Sequence, residues 1–135
     1  MDAARPHALV TGSASGIGRA SALRLAAAGY DVTINYSRSR DRADQTLAEL
    51  HELGGTHRAV QADVSDDDAV RALVAEAVDA DGNLAALVNN AGTTAETPPD
   101  DLGGIDLDDW DRVMRVNVRG LVQVTRAAAG PLRQA

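Results

Sequence analysis

The chain has 135 residues, 44% of them apolar, enough for one domain with a buried core, so residues 1–135 are read as a single unit. Thirteen basic against twenty acidic residues give a net charge of −7, which leaves no basic stripe for nucleic acid and no polybasic patch for a membrane surface. The absence of cysteine removes disulfides, thiolate metal sites and a thiol nucleophile together.

Met1 to His7 has no apolar stretch, so no secretory leader is expected there. No run approaches the roughly 18 apolar residues of a membrane span, and a soluble cytoplasmic protein is the expectation. Ala8-Leu9-Val10 is too short and apolar for a helix and predicts a buried strand. A glycine cluster follows. Ile17, Ala20, Leu23 and Ala27 then recur at helical spacing, and Gly29 ends that helix. Asp31 to Tyr36 is rich in β-branched residues and predicts a second strand. Ser37 to Arg40 is a polar loop. Asp41 to Leu53 predicts a helix with Leu47, Leu50 and Leu53 inward, stopped by Gly54-Gly55.

His57 to Gln61 predicts a third strand. Ser65 is the expected cap of a helix over residues 66–79, whose early acids suit the helix dipole. Leu84 to Val88, apolar throughout, predicts a fourth strand. Thr93 to Ile105 is a Pro/Gly/Asp-rich loop. Leu107, Trp110, Val113, Met114, Asn117, Val118 and Leu121 predict a last helix reaching about Ala129, with Trp110 in the core. His7, His51 and His57 are scattered, so no metal site is expected.

Strands alternating with helices predict an α/β fold: a doubly wound parallel sheet, Rossmann-like, of about four strands and four helices. Gly12, Gly16 and Gly18 fall between the first strand and first helix. The first glycine permits a tight turn, the second lets backbone approach a diphosphate, and the third lets helix pack on strand. The helix N-terminus adds unpaired N–H groups and a positive dipole. Ser13, Ser15 and Ile17 complete this candidate cofactor-binding loop.

The GxxxGxG spacing, with Thr11 before it and Ile17 between the last two glycines, resembles the short-chain dehydrogenase/reductase family. Three further segments carry the resemblance in family order: Asp63-Val64 after the third strand, Asn89-Asn90-Ala91-Gly92 after the fourth, and Asn117 on the last helix. The resemblance implies a nicotinamide dinucleotide as cofactor. It places Asp63 and Val64 on the adenine side, with Asn90, Ala91 and Gly92 also at the cofactor. It makes Asn117 a catalytic-set residue supporting a water chain to a lysine.

NAD-binding sites usually carry an acid at the end of the second strand. Here Tyr36, Ser37 and Arg38 stand at that place, with no carboxylate to repel a 2′-phosphate and Arg38 able to pair with it. NADP(H) is therefore expected over NAD(H). The family's proton-handling serine, tyrosine and lysine are missing: the chain has no lysine, its tyrosines are Tyr30 and Tyr36, and its serines all lie at or before Ser65. The expectation is thus the cofactor-binding half of an oxidoreductase for small carbonyl or alcohol substrates, resembling the 3-oxoacyl-carrier-protein-reductase group and inactive alone. The alternative is a non-catalytic NADP(H)-binding module. The sheet would be incomplete, with its fourth strand at an open edge, leaving room for a homo-oligomer or a complementing second half.

Overall fold

A computed structural model describes residues 3–135. Four parallel strands form one sheet: β1 (His7–Val10), β2 (Asp31–Tyr36), β3 (Arg58–Gln61) and β4 (Ala86–Val88), in the order β3-β2-β1-β4. Leu9 pairs with Thr33 on one side and Leu87 on the other, and Asn35 pairs with Val60. The order reverses between β1 and β4. Such a switch point opens a crevice at the carboxyl ends of the strands.

Helices cover both faces, as parallel strands buried on both sides require. Helices α1 (Gly16–Ala27) and α2 (Arg40–Glu52) enclose Val10, Val32 and Ile34 with Ala22, Ala26, Ala43 and Leu50. On the other face α3 (Asp67–Ala77) and α5 (Leu121–Gln134) bury Leu9, Val64, Leu73, Leu84 and Val124. The loop after β4 contains a 3-10 turn at Leu102–Gly104. Helix α4 (Leu107–Met114), a π-helical turn (Arg115–Gly120) and α5 then form one continuous rod.

Several expectations are corrected. The face α1 buries is Gly18, Ala22 and Ala26, whereas Ile17 is 80% exposed, because the tight glycine turn presses the Gly18 side of the helix onto the strands. Leu53 is exposed as the C-cap of α2, past the last turn that reaches the sheet. The cap of α3 is Asp66, which accepts from the backbone of Asp68 and Ala69, while the Ser65 hydroxyl donates to Asp63. Trp110 is 58% exposed, since α4 buries no residue fully. The rod runs beyond Ala129, with Pro131 inside α5; the Pro131 carbonyl accepts from Leu84 N, which ties the last turn to the sheet. That bond also holds Leu84 ahead of β4, so the strand begins later than its apolar run.

Candidate cofactor cleft

Thr11 to Gly18 turns the chain from β1 into α1. Gly12 and Gly16 both have positive φ, +59° and +62°, a conformation costly for residues with a Cβ. A Cβ on Gly12 would lie 2.7 Å from Ala91 Cα. One on Gly18 would lie 2.5 Å from both Gly12 O and Asn90 Nδ2, so this glycine brings helix, turn and β4 exit together. A Cβ on Gly16 would meet nothing within 4 Å; the turn is open on that side.

Side chains lock the turn from below. The Ser13 hydroxyl donates to Val10 O and accepts from Asn35 N. The Thr11 hydroxyl accepts from the backbone of Asn90 and Ala91, each at 3.0 Å, and pins the end of β4 to the end of β1. Asn90 Nδ2 donates to Gly12 O at 2.8 Å. At the N-terminus of α1, Ser15 makes no side-chain capping bond and no acid stands in the first turn. The leading amides of this helix therefore face outward without a side-chain partner.

Asn35 stands in the middle of this network, buried in the central strand. Its Oδ1 accepts from Gly12 N at 3.1 Å, and its Nδ2 donates to Val60 O and Ala62 O at 3.2 and 3.1 Å. A buried amide left without partners would cost about 1–3 kcal/mol. Here both ends are satisfied, and one side chain couples the glycine turn to the end of β3.

Beside the turn lies a cleft of about 490 Å³, walled by Gly12, Asn35, Ser37, Arg38, Ala62–Ser65, Ala91–Thr93, Arg112, Arg115 and Val116. Among the described residues Asp63 is the one carboxylate on this wall. The Ser65 hydroxyl at 2.7 Å and the Ser65 N–H at 2.9 Å hold its pKa below the usual carboxylate range, with the charges of Arg115 and Arg38 adding to that effect and burial opposing it. Arg112 donates to the Thr93 hydroxyl and to Thr94 O. Asn117 brackets Thr93: Oδ1 accepts from Thr93 N at 2.7 Å and Nδ2 donates to Thr93 O at 2.9 Å. Gln123 donates to Val64 O, and a Cβ on Gly120 would lie 2.7 Å from Val64 Cγ2, so the π turn packs tightly behind the cleft.

The family model for short chain dehydrogenases matches residues 6–135. The chain belongs to the short-chain dehydrogenase family. The 3-oxoacyl-(acyl-carrier-protein) reductase FabG of Staphylococcus aureus (strain Mu50) is 40% identical over 128 residues, covering 94% of this chain and 51% of the relative. A crystal structure of a short chain dehydrogenase from Burkholderia cenocepacia J2315 in complex with NADP superposes with a TM-score of 0.87 at 44% identity, covering 94% of this chain and 51% of the other. A blue fluorescent protein from a metagenomic library, in complex with NADPH, gives 0.83 at 39% identity over 93% and 50% of the two chains. The chain spans about half the length of the curated relatives it matches. The family is one of oxidoreductases that bind nicotinamide dinucleotides.

Of the residues the sequence singled out, Gly12, Ser37, Arg38, Asp63, Val64, Ala91 and Gly92 line the cleft together. Ser13, Gly18 and Asn90 stand behind them as supports. Ser15, Gly16 and Ile17 are exposed at the mouth of the turn. Tyr36 is half-buried against the α1–α2 core and does not line the cleft. Asn117 lies one residue beyond the wall, committed to Thr93.

Sequence reasoning missed Asn35, Arg112 and Arg115 and gave Thr11 no role. Asn35 had a signal: an amide between Ile34 and Tyr36 in a β-branched run expected to form a strand covered on both faces. Among the described residues no helix is long and apolar enough to cross a membrane, and no group of three or more His, Asp or Glu side chains is placed to hold a metal.

Proposed function

We propose that the cleft binds a nicotinamide dinucleotide, NADP(H) in preference to NAD(H), and that the chain supplies the cofactor-binding part of a short-chain oxidoreductase. The observation that carries this reading is the start of α1, where uncapped amides and a turn open at Gly16 stand without any acid. That donor set fits a diphosphate: backbone N–H groups at a helix N-terminus bind anions, and the open side admits them. Ser15, Gly16, Ile17 and Gly18 would hold the diphosphate. Asp63, Val64, Asn90, Ala91 and Gly92 would flank the adenosine. Ser37 and Arg38 would stand at the ribose end, with Tyr36 packed behind them, and Arg38 would take the 2′-phosphate because no carboxylate stands among the residues immediately after β2.

When bound, the nicotinamide ring supplies or accepts a hydride. The chain's own residues hold and orient it. Asn117 fixes Thr93 at the end of the cleft, which makes it a positioning residue here. The similarity to 3-oxoacyl-(acyl-carrier-protein) reductases supports a small carbonyl or alcohol as substrate. This chain has no lysine, and its two tyrosines stand at opposite ends of β2, where neither can serve as a tuned proton carrier beside the cleft. The same observation favours a second reading, a cofactor-binding module or one half of a split enzyme, over turnover by this chain alone.

Calorimetric titration tests the reading. NADPH should bind about tenfold tighter than NADH, the worth of one charge-assisted pair to phosphate. The same samples, given an acetoacetyl thioester, should leave the NADPH absorbance unchanged. Equal or tighter binding of NADH would refute the preference, and no binding of either nucleotide would refute the reading itself.

A further inference from the structure

The cleft wall carries three guanidiniums, although the protein as a whole is acidic. They are not equivalent. Arg112 is engaged by the Thr93 hydroxyl and Thr94 O, with Asp109 3.7 Å away. Among the described residues, the guanidiniums of Arg38 and Arg115 have no hydrogen-bond or ion-pair partner. They come from different elements, the loop after β2 and the start of the π turn, yet face the same cleft as Asp63 and Ser37.

We infer that Arg115 is a specificity-determining residue, a second guanidinium that joins Arg38 in holding the 2′-phosphate of the cofactor. The inference rests on the dinucleotide reading above and deepens it. Charge arithmetic favours a second cation. Asp63 is an ionised carboxylate on the same wall, held so by two bonds from Ser65. Arg38 alone would only balance it, leaving no net attraction for a dianion. Arg115 leaves one positive charge in excess at that end of the cleft, and in a concave site a local excess outweighs the distributed negative charge of the rest of the chain. Both guanidiniums are exposed, so an incoming phosphate meets them without first breaking a protein contact.

The test uses Arg115→Ala and Arg115→Gln in the full 135-residue chain. NADPH, NADH, adenosine 2′,5′-bisphosphate and AMP are titrated against each variant and the parent. NADPH and the bisphosphate should weaken by about tenfold, the loss of one charge-assisted pair. NADH and AMP should change by less than about twofold, and Arg115→Lys should recover part of the loss, as a point charge without the bidentate fork. The NADPH-to-NADH ratio is internally controlled, because partial unfolding would weaken both alike. Equal losses for both nucleotides, which leave the ratio where it was, would overturn the inference. An unchanged ratio with normal binding would overturn it while leaving the dinucleotide reading intact. Failure of the parent to bind any of the four would overturn both.

Discussion

Helix α3 begins with Asp66 accepting from two backbone amides and has Asp67 and Asp68 in its first turn; helix α1 begins with Ser15, whose hydroxyl caps nothing, and has no acid there. Helix α4 follows α3, with Asp106 as cap and Asp108 and Asp109 behind it. In an acidic chain, carboxylates are the cheapest way to satisfy the positive end of a helix, and α3 and α4 both use them. The start of α1 has neither a side-chain cap nor an acid, which is what the proposed diphosphate site requires. The same physical feature serves stability at α3 and α4 and is left without a side-chain partner at α1.

That contrast can be broken by substitution. The largest effect is expected from Gly18→Ala. Its methyl would collide with Gly12 O and Asn90 Nδ2, and overpacking of this kind should cost about 2–3 kcal/mol in urea denaturation and abolish NADPH binding. Stability and binding both unchanged would mean that the turn relaxes freely. Gly16→Ala should cost about 1 kcal/mol, from the positive φ alone, yet weaken NADPH about tenfold, because the methyl enters the side from which backbone meets ligand. Loss of stability without loss of affinity would remove Gly16 from the site. The smallest effect belongs to Asp66→Ala, which should cost about 1 kcal/mol through the lost cap and leave NADPH affinity untouched. A change in affinity there would deny the division of roles between α1 and α3.

Much of the fold was legible because each level of the sequence agreed with the next. Short apolar runs, glycine stops and helical spacing placed the four strands and the main helices, and their alternation gave the parallel sheet covered on both faces. The glycine turn was legible as a tight turn at Gly12 and a close helix-to-strand approach at Gly18. What escaped were choices made by tertiary partners. Ser65 and Asp66 are both good caps, and the sequence cannot say that the Ser65 hydroxyl is taken by Asp63. Asn35 is a buried coupling residue because of what β3 and the turn offer it, and neither is adjacent in sequence. Arg112 and Arg115 read as solvated charges on a helix; only the packing of the rod beside β4 brings them to the cleft.

The π turn has a consequence for the whole rod. A straight α-helix has a single azimuth, so apolar residues at 3.6-residue spacing share one side from end to end. Inserting one extra residue into a turn rotates everything beyond it by about 100°. Leu107, Trp110, Met114, Val118 and Leu121 all face outward, while Val124 and Ala128 beyond the wide turn face the sheet. Up to the first residue of that turn the rod offers Arg112 and Arg115 to the crevice; after it, the rod offers Gln123, Val124 and Ala128 to the sheet. One rod thereby serves as a wall of the cleft in its first half and as a pillar of the core in its second.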